Sequence, residues 1–396
     1  MSSAAEYWVG PTIGEGAFGH VVYAVHKATE RKVAIKVIEI PNKIEGHRLH
    51  HQNQLKQKTA MILNERKILS LPDLKSSRWI VNLWAFFCDS SSIYFVLELA
   101  TGGDLNGLIR SGLHSSDRCL WRRFSIPRYA SQLISAVDFL HNKGIVHCDL
   151  QPGNVLLDGT SGNLKLADFG CAINRKKHNP EQQQSSYPRG TSCFASPELI
   201  RATSPSTITV AVDYWSIGCI IHAMWYGSSP FDRGSEALTV AAIFRYIDRR
   251  KSGIFVQDEI DKSEYGVSNG SKTTYASLDR NSEDDIIEDD ISRRPWNEMT
   301  STEARTDKRV QDVPDLLQVI SQDLLAAIPE DRINTWKNKA IPFLVLYERD
   351  IDPSDGNDGQ PSLVSKNILL PVPSWSEDVA NTMLRDGNLG WSVFQI

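Results

Sequence analysis

The chain has 396 residues, 41% of them hydrophobic and 23% charged, with a formal net charge of −5. That length can bury a large core and suggests two or three domains, in the balance of an ordinary globular protein. The negative charge argues against general nucleic-acid binding, and no apolar run nears the roughly eighteen residues that would cross a bilayer.

The opening MSSAAEYWVG has neither the basic flank nor the apolar stretch of a signal peptide, and serine after Met1 removes N-myristoylation. Residues 7–40 then read as strands. Within them IGEGAFGHVV (13–22) sets Gly14, Gly16 and Gly19 in a G-x-G-x-x-G pattern, where glycine lets backbone N–H groups approach phosphate oxygens. Many turns hold three glycines, so the pattern alone is weak. Strand-forming VVYAV follows where a dinucleotide fold would continue into a helix, which favours a hairpin laid over nucleotide phosphates. KVAIKVIEI (32–40) is apolar around Lys36, and a part-buried ammonium there needs an anionic partner. PNKIEGHRLHHQNQLKQK (41–58) is polar and basic, and helical spacing begins with TAMILNERKIL (59–69). Glu65 is the natural partner for Lys36, although a glutamate taken singly is usually a solvated helix residue.

SSIYFVLELA (91–100) is a further strand, and TGGDL turns into a helix. IPRYASQLISAVDFLHNKG (126–144) is an amphipathic helix with Pro127 near its start and Gly144 at its end. HCDLQPGN (147–154) places Asp149 five residues before Asn154, and DFG (168–170) begins with Asp168. Taken singly these are a turn aspartate, a capping asparagine and a loop aspartate; together their oxygens suit a hard cation shared with substrate phosphates. VDYWSIGCIIHAMWYG (212–227) is apolar enough to be a buried helix. From about Arg249 to Asp312 the composition turns polar, and SEDDIIEDD (282–290) has six acidic residues in nine, so this stretch reads as a disordered insertion open to a regulatory partner. Helical pattern resumes over VPDLLQVISQDLLAAI (313–328), before a tail rich in Pro, Ser, Asp and Gly. The six cysteines (Cys88, Cys119, Cys148, Cys171, Cys193, Cys219) form no CxxC pair, so free thiols in a cytosolic or nuclear setting are expected.

Taken in order, IGEGAFGHVV, VAIK, NERKIL, HCDLQPGN, DFG, GTSCFASPEL, VDYWSIGC and the arginine of PEDRI resemble a eukaryotic protein kinase from about residue 7 to 345. The resemblance implies an α+β, two-lobed fold. A small β-rich N-lobe would cover 7–100, a large, mainly helical C-lobe with the insertion 101–345, and a tail 346–396. It implies ATP and Mg2+ at the site, with protein Ser/Thr hydroxyls as acceptors. Asp149 would orient and deprotonate the hydroxyl, Lys36 and Glu65 set the ATP, and Gln151 and Thr191 complete the catalytic set. Asn154 and Asp168 would hold magnesium. The nucleotide would lie beneath Ile13, Gly14, Glu15, Gly16, Ala17, Phe18 and Gly19, with adenine against Val21 and Ala34. Leu97 would be the gatekeeper, with a hinge at Glu98, Leu99 and Ala100; Asp104 would reach the ribose, and Leu156 belongs to the same set. His147, Phe169, Leu69 and Leu83 would stack as an apolar spine rooted on Asp213, and Glu198 would pair with Arg332.

Gly190, Thr191 and SPEL resemble the serine/threonine class, and NERKIL, LELATGGDL and RGTSCFASPELI are most similar to the phosphoinositide-dependent kinases of the AGC group. The tail is too short for the pleckstrin-type domain of many such kinases, and its WSVF (391–394) resembles their hydrophobic docking motif. Two residues depart from the family pattern. Cys148 replaces the arginine that clamps a phosphorylated activation loop, so a phosphate on Ser185, Ser186 or Tyr187 loses its strongest anchor. Gln151 replaces a lysine that steadies the γ-phosphate, a loss of about 2–4 kcal/mol in the transition state. The expectation is therefore a serine/threonine kinase of reduced rate. The alternative is a nucleotide-binding pseudokinase scaffold.

Overall fold

The computed structural model describes residues 3–16, 19–40, 49–75, 77–114, 121–177, 193–202, 204–252, 320 and 322–340. Five strands make an antiparallel sheet: β1 (Tyr7–Gly16), β2 (Gly19–His26), β3 (Lys32–Glu39), β4 (Leu83–Cys88) and β5 (Ser92–Glu98), in the spatial order β1-β2-β3-β5-β4. Alternation along β3 turns Val33, Ile35 and Val37 to one face, where they pack with Tyr7, Val22, Ala24, Tyr94 and Val96. The other face carries Ala34, Lys36 and Ile38. Lys36 pairs with Val21 and Phe95, and Ala34 with Tyr23 and Leu97. A slip of one residue would move Lys36 to the wrong side of the sheet.

Between β3 and β4 runs α1 (Leu49–Leu69), whose Ile62, Glu65, Ile68 and Leu69 are buried. Sequence spacing put its start at residue 59. It starts at Leu49 because LHHQNQLKQK lacks Gly and Pro and is rich in good helix formers, although its polar composition gives no hydrophobic period.

The second, mainly helical part comprises α2 (Leu105–His114), α3 (Ile126–Asn142), α4 (Pro197–Arg201), α5 (Ala211–Tyr226), α6 (Glu236–Lys251) and α7 (Pro329–Thr335). α5 is buried from Ala211 to Met224, and Leu133, Ile134, Val137 and Leu140 of α3 belong to the same core as its Ile217, Ile220 and Ile221. Gly144 and Gly227 end α3 and α5 with φ of 79° and 92°, a left-handed conformation that favours glycine. Two short pairings position the chemistry. β6 (Ile145–Val146) pairs with β9 (Ile173–Asn174), and β7 (Val155–Leu157) pairs with β8 (Leu164–Leu166). The loop 147–154 leaves β6 and enters β7, while 167–172 leaves β8 and enters β9. The two hairpin ladders therefore hold both loops side by side.

The polar shift expected near Arg249 falls inside α6, which continues to Lys251; 253–312 lies outside the described residues. Helix was also expected through Ile328. Instead 320 and 322–324 are helical, and Ile328 is extended (φ −99°, ψ 126°) because Pro329 disfavours a helical residue before it. Arg332 of α7 is fully buried, ion-paired to Glu198 and donating to the Ala326 carbonyl. Among the described residues no helix is long and apolar enough to cross a membrane. The WSVF tail lies outside them.

Candidate active site

The turn between β1 and β2 brings Gly16 opposite Gly19. A Cβ on Gly19 would lie 2.0 Å from the Val37 carbonyl oxygen, so close backbone approach, not a special φ, demands glycine there. Gly14 and Gly16 have room for a methyl group. Ala17 and Phe18 lie outside the described residues. Val21, Ala34, Lys36 and Leu97 share a sheet face by register, and Ile13 packs beside them against Tyr23 and Val25. Glu15 pairs with His20, which pairs with Val37, so its side chain belongs to the opposite face. There it lines an open cavity of about 530 Å³ with Thr12, His20, Glu39 and Lys58.

Two expected nucleotide contacts already have structural partners. Asp104 Oδ1 accepts from the Gly107 backbone N–H at 2.7 Å and so caps α2. The Glu98 carboxylate turns toward the second lobe: Oε1 lies 3.1 Å from Lys165 Nζ, and Oε2 accepts from the Asn82 side chain at 2.8 Å. Its side chain braces the hinge, a role that resemblance alone does not give. Leu99 packs on Tyr23 and Val25, Ala100 follows it half-buried, and half-buried Leu156 bridges to Asp104.

At the centre, Lys36 Nζ lies 2.8 and 3.0 Å from the Glu65 carboxylate oxygens and 3.6 Å from Asp168 Oδ1. Burial works to lower the Lys36 pKa, but the two carboxylates outweigh it and hold the ammonium above the ordinary lysine range. Burial raises Glu65, with Lys36 pulling against it. Lys36 is therefore a fixed cation clasped between α1 and the DFG loop. Phe169 is fully buried against the His147 ring, at a centroid distance of 4.9 Å, in the core that also holds Leu69 and borders Leu83.

The backbone of the 147–154 loop hangs from Asp213 of α5, which accepts from the N–H groups of His147 (2.8 Å) and Cys148 (2.9 Å) and from His141 Nε2 (2.8 Å). His147 Nε2 donates to the Ala167 carbonyl at 3.1 Å, leaving Nδ1 to accept from the Asp149 N–H at 3.3 Å. Asn154 Nδ2 donates to the Asp149 carbonyl (2.8 Å) and to its Oδ2 (3.3 Å). Gln151 is half-buried, and its side chain makes no hydrogen bond among the described residues. Cys148 and Asp168 both have left-handed backbones, φ 65° and 60°, which cost about 1–3 kcal/mol each and persist only where surroundings enforce them. Thr191 lies outside the described residues.

The thiols of Cys148 and Cys171 are buried in one apolar cluster. Burial, aided by Asp149, Asp168 and Glu65, pushes Cys171 far above the ordinary thiol range, which makes it inert rather than reactive. Among the described residues no three His, Cys, Asp or Glu side chains converge to hold a metal unaided. The Asp168 side chain is 35% exposed, and Asn154 Oδ1 makes no hydrogen bond among those residues. A carboxylate and an amide oxygen, with phosphates to complete the shell, are a donor set that fits Mg2+.

The sequence matches the protein kinase domain family over residues 7–335. It is 33% identical over 248 residues to serine/threonine-protein kinase PKH2 of Saccharomyces cerevisiae, covering 61% of this chain and 21% of that protein. Human 3-phosphoinositide-dependent protein kinase 1 is 33% identical over 242 residues, 61% of this chain and 39% of its own length. Human Rho-associated protein kinase 1 is 31% identical over 261 residues, 66% and 17%. The chain thus spans a minor part of each relative's length. The match encloses Lys36, Glu65, Asp149, Asn154 and Asp168, and this chain belongs to the protein kinase domain family.

Proposed function

We propose that the chain is a serine/threonine protein kinase that transfers the γ-phosphate of ATP to a protein hydroxyl. The supporting observation is Lys36 bonded to Glu65 and within 3.6 Å of Asp168, a cation placed for phosphate oxygens. The hydroxyl oxygen bonds to the γ-phosphorus, the bridging P–O bond to the leaving ADP breaks, and the hydroxyl proton passes to the Asp149 carboxylate. Asn154 orients that carboxylate through its amide N–H and, with Asp168, offers the oxygens that would hold magnesium. Bound there, Mg2+ would neutralise charge on the phosphates. The N-lobe is assigned to 7–100, the C-lobe to 101–345 and a tail to 346–396. Names of the relatives favour Ser/Thr acceptors.

The rate is set low by Gln151, which stands next to the loop proline with an amide that makes no hydrogen bond among the described residues, where a charged donor would act. Dependence on loop phosphorylation is reduced, since buried Cys148, 3% exposed, offers no cation to a phosphate. The test is Mg2+-dependent transfer of labelled γ-phosphate to Ser/Thr peptides by the wild type and by Gln151→Lys. Slow transfer on Ser/Thr that rises about 10²–10³-fold in Gln151→Lys is the expected result. No transfer from either protein, with ATP still raising the melting temperature, makes the nucleotide-binding scaffold the correct reading.

A further inference from the structure

Asn64 precedes Glu65 in NERKIL, and nothing above gives it a task. Its Nδ2 lies 2.8 Å from the Ala172 carbonyl oxygen, 3.0 Å from that of Gly170 and 3.3 Å from that of Phe169. One amide group thus faces three backbone acceptors of the DFG loop. With two hydrogens for three oxygens, at least one is shared between carbonyls.

That loop has a reason to need holding. Asp168 is left-handed at φ 60°, and the turn it starts points the following carbonyls inward toward α1. Three carbonyl dipoles aimed at one point repel one another unless a donor sits between them. The approach of helix and loop is close on both sides of the amide. Met61 Cε lies 3.4 Å from where a Cβ on Gly170 would stand, and Glu65 reaches Lys36, which contacts Asp168. Met61, Asn64 and Glu65 share a face of α1 at three- and four-residue spacing. The helix therefore holds the Asp168 carboxylate through Glu65 and Lys36, and the backbone that follows Asp168 through Asn64.

We propose that Asn64 is a positioning residue that fixes the backbone carrying Asp168 and thereby sets how strongly the site couples Mg2+ to the nucleotide. This rests on the assignment of Asp168 as a magnesium ligand. Asn64 touches neither nucleotide nor metal; it acts by removing alternative orientations of the loop, so its effect belongs to the metal-bound complex and not to metal-free nucleotide binding.

Two substitutions separate this role from simple packing. Asn64→Asp keeps the shape but turns a donor into an acceptor facing three carbonyls. Asn64→Ala removes the donor without adding repulsion. A space-filling role makes alanine the worse change; the positioning role makes aspartate the worse one. The measurement is the dissociation constant of ADP with and without Mg2+, for the full chain and both variants, with melting temperatures alongside.

The Mg2+-induced tightening of ADP seen in the wild type is expected to fall roughly tenfold in Asn64→Asp and by a smaller factor in Asn64→Ala, with metal-free ADP affinity unchanged. Tightening that survives at the wild-type level in Asn64→Asp overturns the proposal. If Asn64→Asp does not fold, unchanged tightening in Asn64→Ala overturns it equally. A wild type in which Mg2+ has no effect on ADP fails at an earlier step, because the metal assignment of Asp168 falls and takes this inference with it.

Discussion

Replacing Asp149 by asparagine is expected to lower phosphate transfer by about two to four orders of magnitude while leaving ATP binding intact. The carboxylate sits where its neighbours hold it in place. Its backbone N–H donates to His147 Nδ1, and both its carbonyl and Oδ2 accept from Asn154 Nδ2. An asparagine at 149 keeps the fold of the loop, because those backbone bonds do not involve its side chain. Its own amide, however, has to place oxygen toward Asn154 Nδ2 to avoid opposing two donors, which leaves an NH2 group facing the acceptor hydroxyl. That group can donate to the oxygen but cannot take its proton. Steady-state transfer should therefore show a fallen kcat with an unchanged KM for ATP, and ATP should raise the melting temperature as in the wild type. Transfer at the wild-type rate would remove Asp149 from the chemistry and, with it, the alignment of HCDLQPGN as the catalytic loop.

The sequence exposes those parts of the site whose physics is local. Lys36 in a run of apolar strand residues announces a buried cation, and Glu65 in a following helix announces its partner, because few other anions lie in the N-terminal strands and helix. The pairing of 2.8 Å agrees with the strand alternation that puts Lys36 on its face of the sheet and with the burial of Glu65 on α1. Asn64 is invisible by the same logic. Its partners are backbone carbonyls 105 to 108 residues away, and a carbonyl has no sequence signature. For Glu98 the sequence hides the partner of the side chain. Its place in the hinge suggests a nucleotide contact, whereas its carboxylate goes to Lys165, whose position near the hinge depends on the β7–β8 pairing and on the bridge from Ile80 to Leu166. Asp104 was within reach of sequence reasoning, since an aspartate three residues ahead of Gly107 at the start of a helix is a standard N-cap. The early start of α1 was not, because a helix of polar residues leaves no hydrophobic period to detect.

Asp213→Asn is the substitution with the largest expected effect on stability. Asp213 is fully buried in the first turn of α5, and it receives three N–H donors: His141 Nε2, the His147 amide and the Cys148 amide. Burial alone would raise its pKa, but those donors, His141 above all, hold it below the ordinary aspartate value, with the helix N-terminus acting in the same sense. An asparagine offers one acceptor oxygen and sets an NH2 group against at least one of the three donors. The loss is about 3 kcal/mol, the upper end of the cost of leaving a buried donor without its acceptor. Because the folded pKa is depressed, the stabilisation is fully present above the unfolded aspartate value and is lost as pH falls through the folded value. The gap in melting temperature between wild type and Asp213→Asn should therefore be wide at neutral pH and should narrow below about pH 4. Activity should fall with it, since Cys148 keeps its left-handed backbone (φ 65°) only while its N–H is drawn to Asp213, and Asp149 is the next residue. Asp149→Asn, by contrast, should lose activity at an unchanged melting temperature, so the pair of variants separates the group proposed to do the chemistry from the group that holds its loop. Equal melting of Asp213→Asn and wild type would mean that β6 and β7 alone shape the loop, and that α5 supports it by packing rather than by this buried charge.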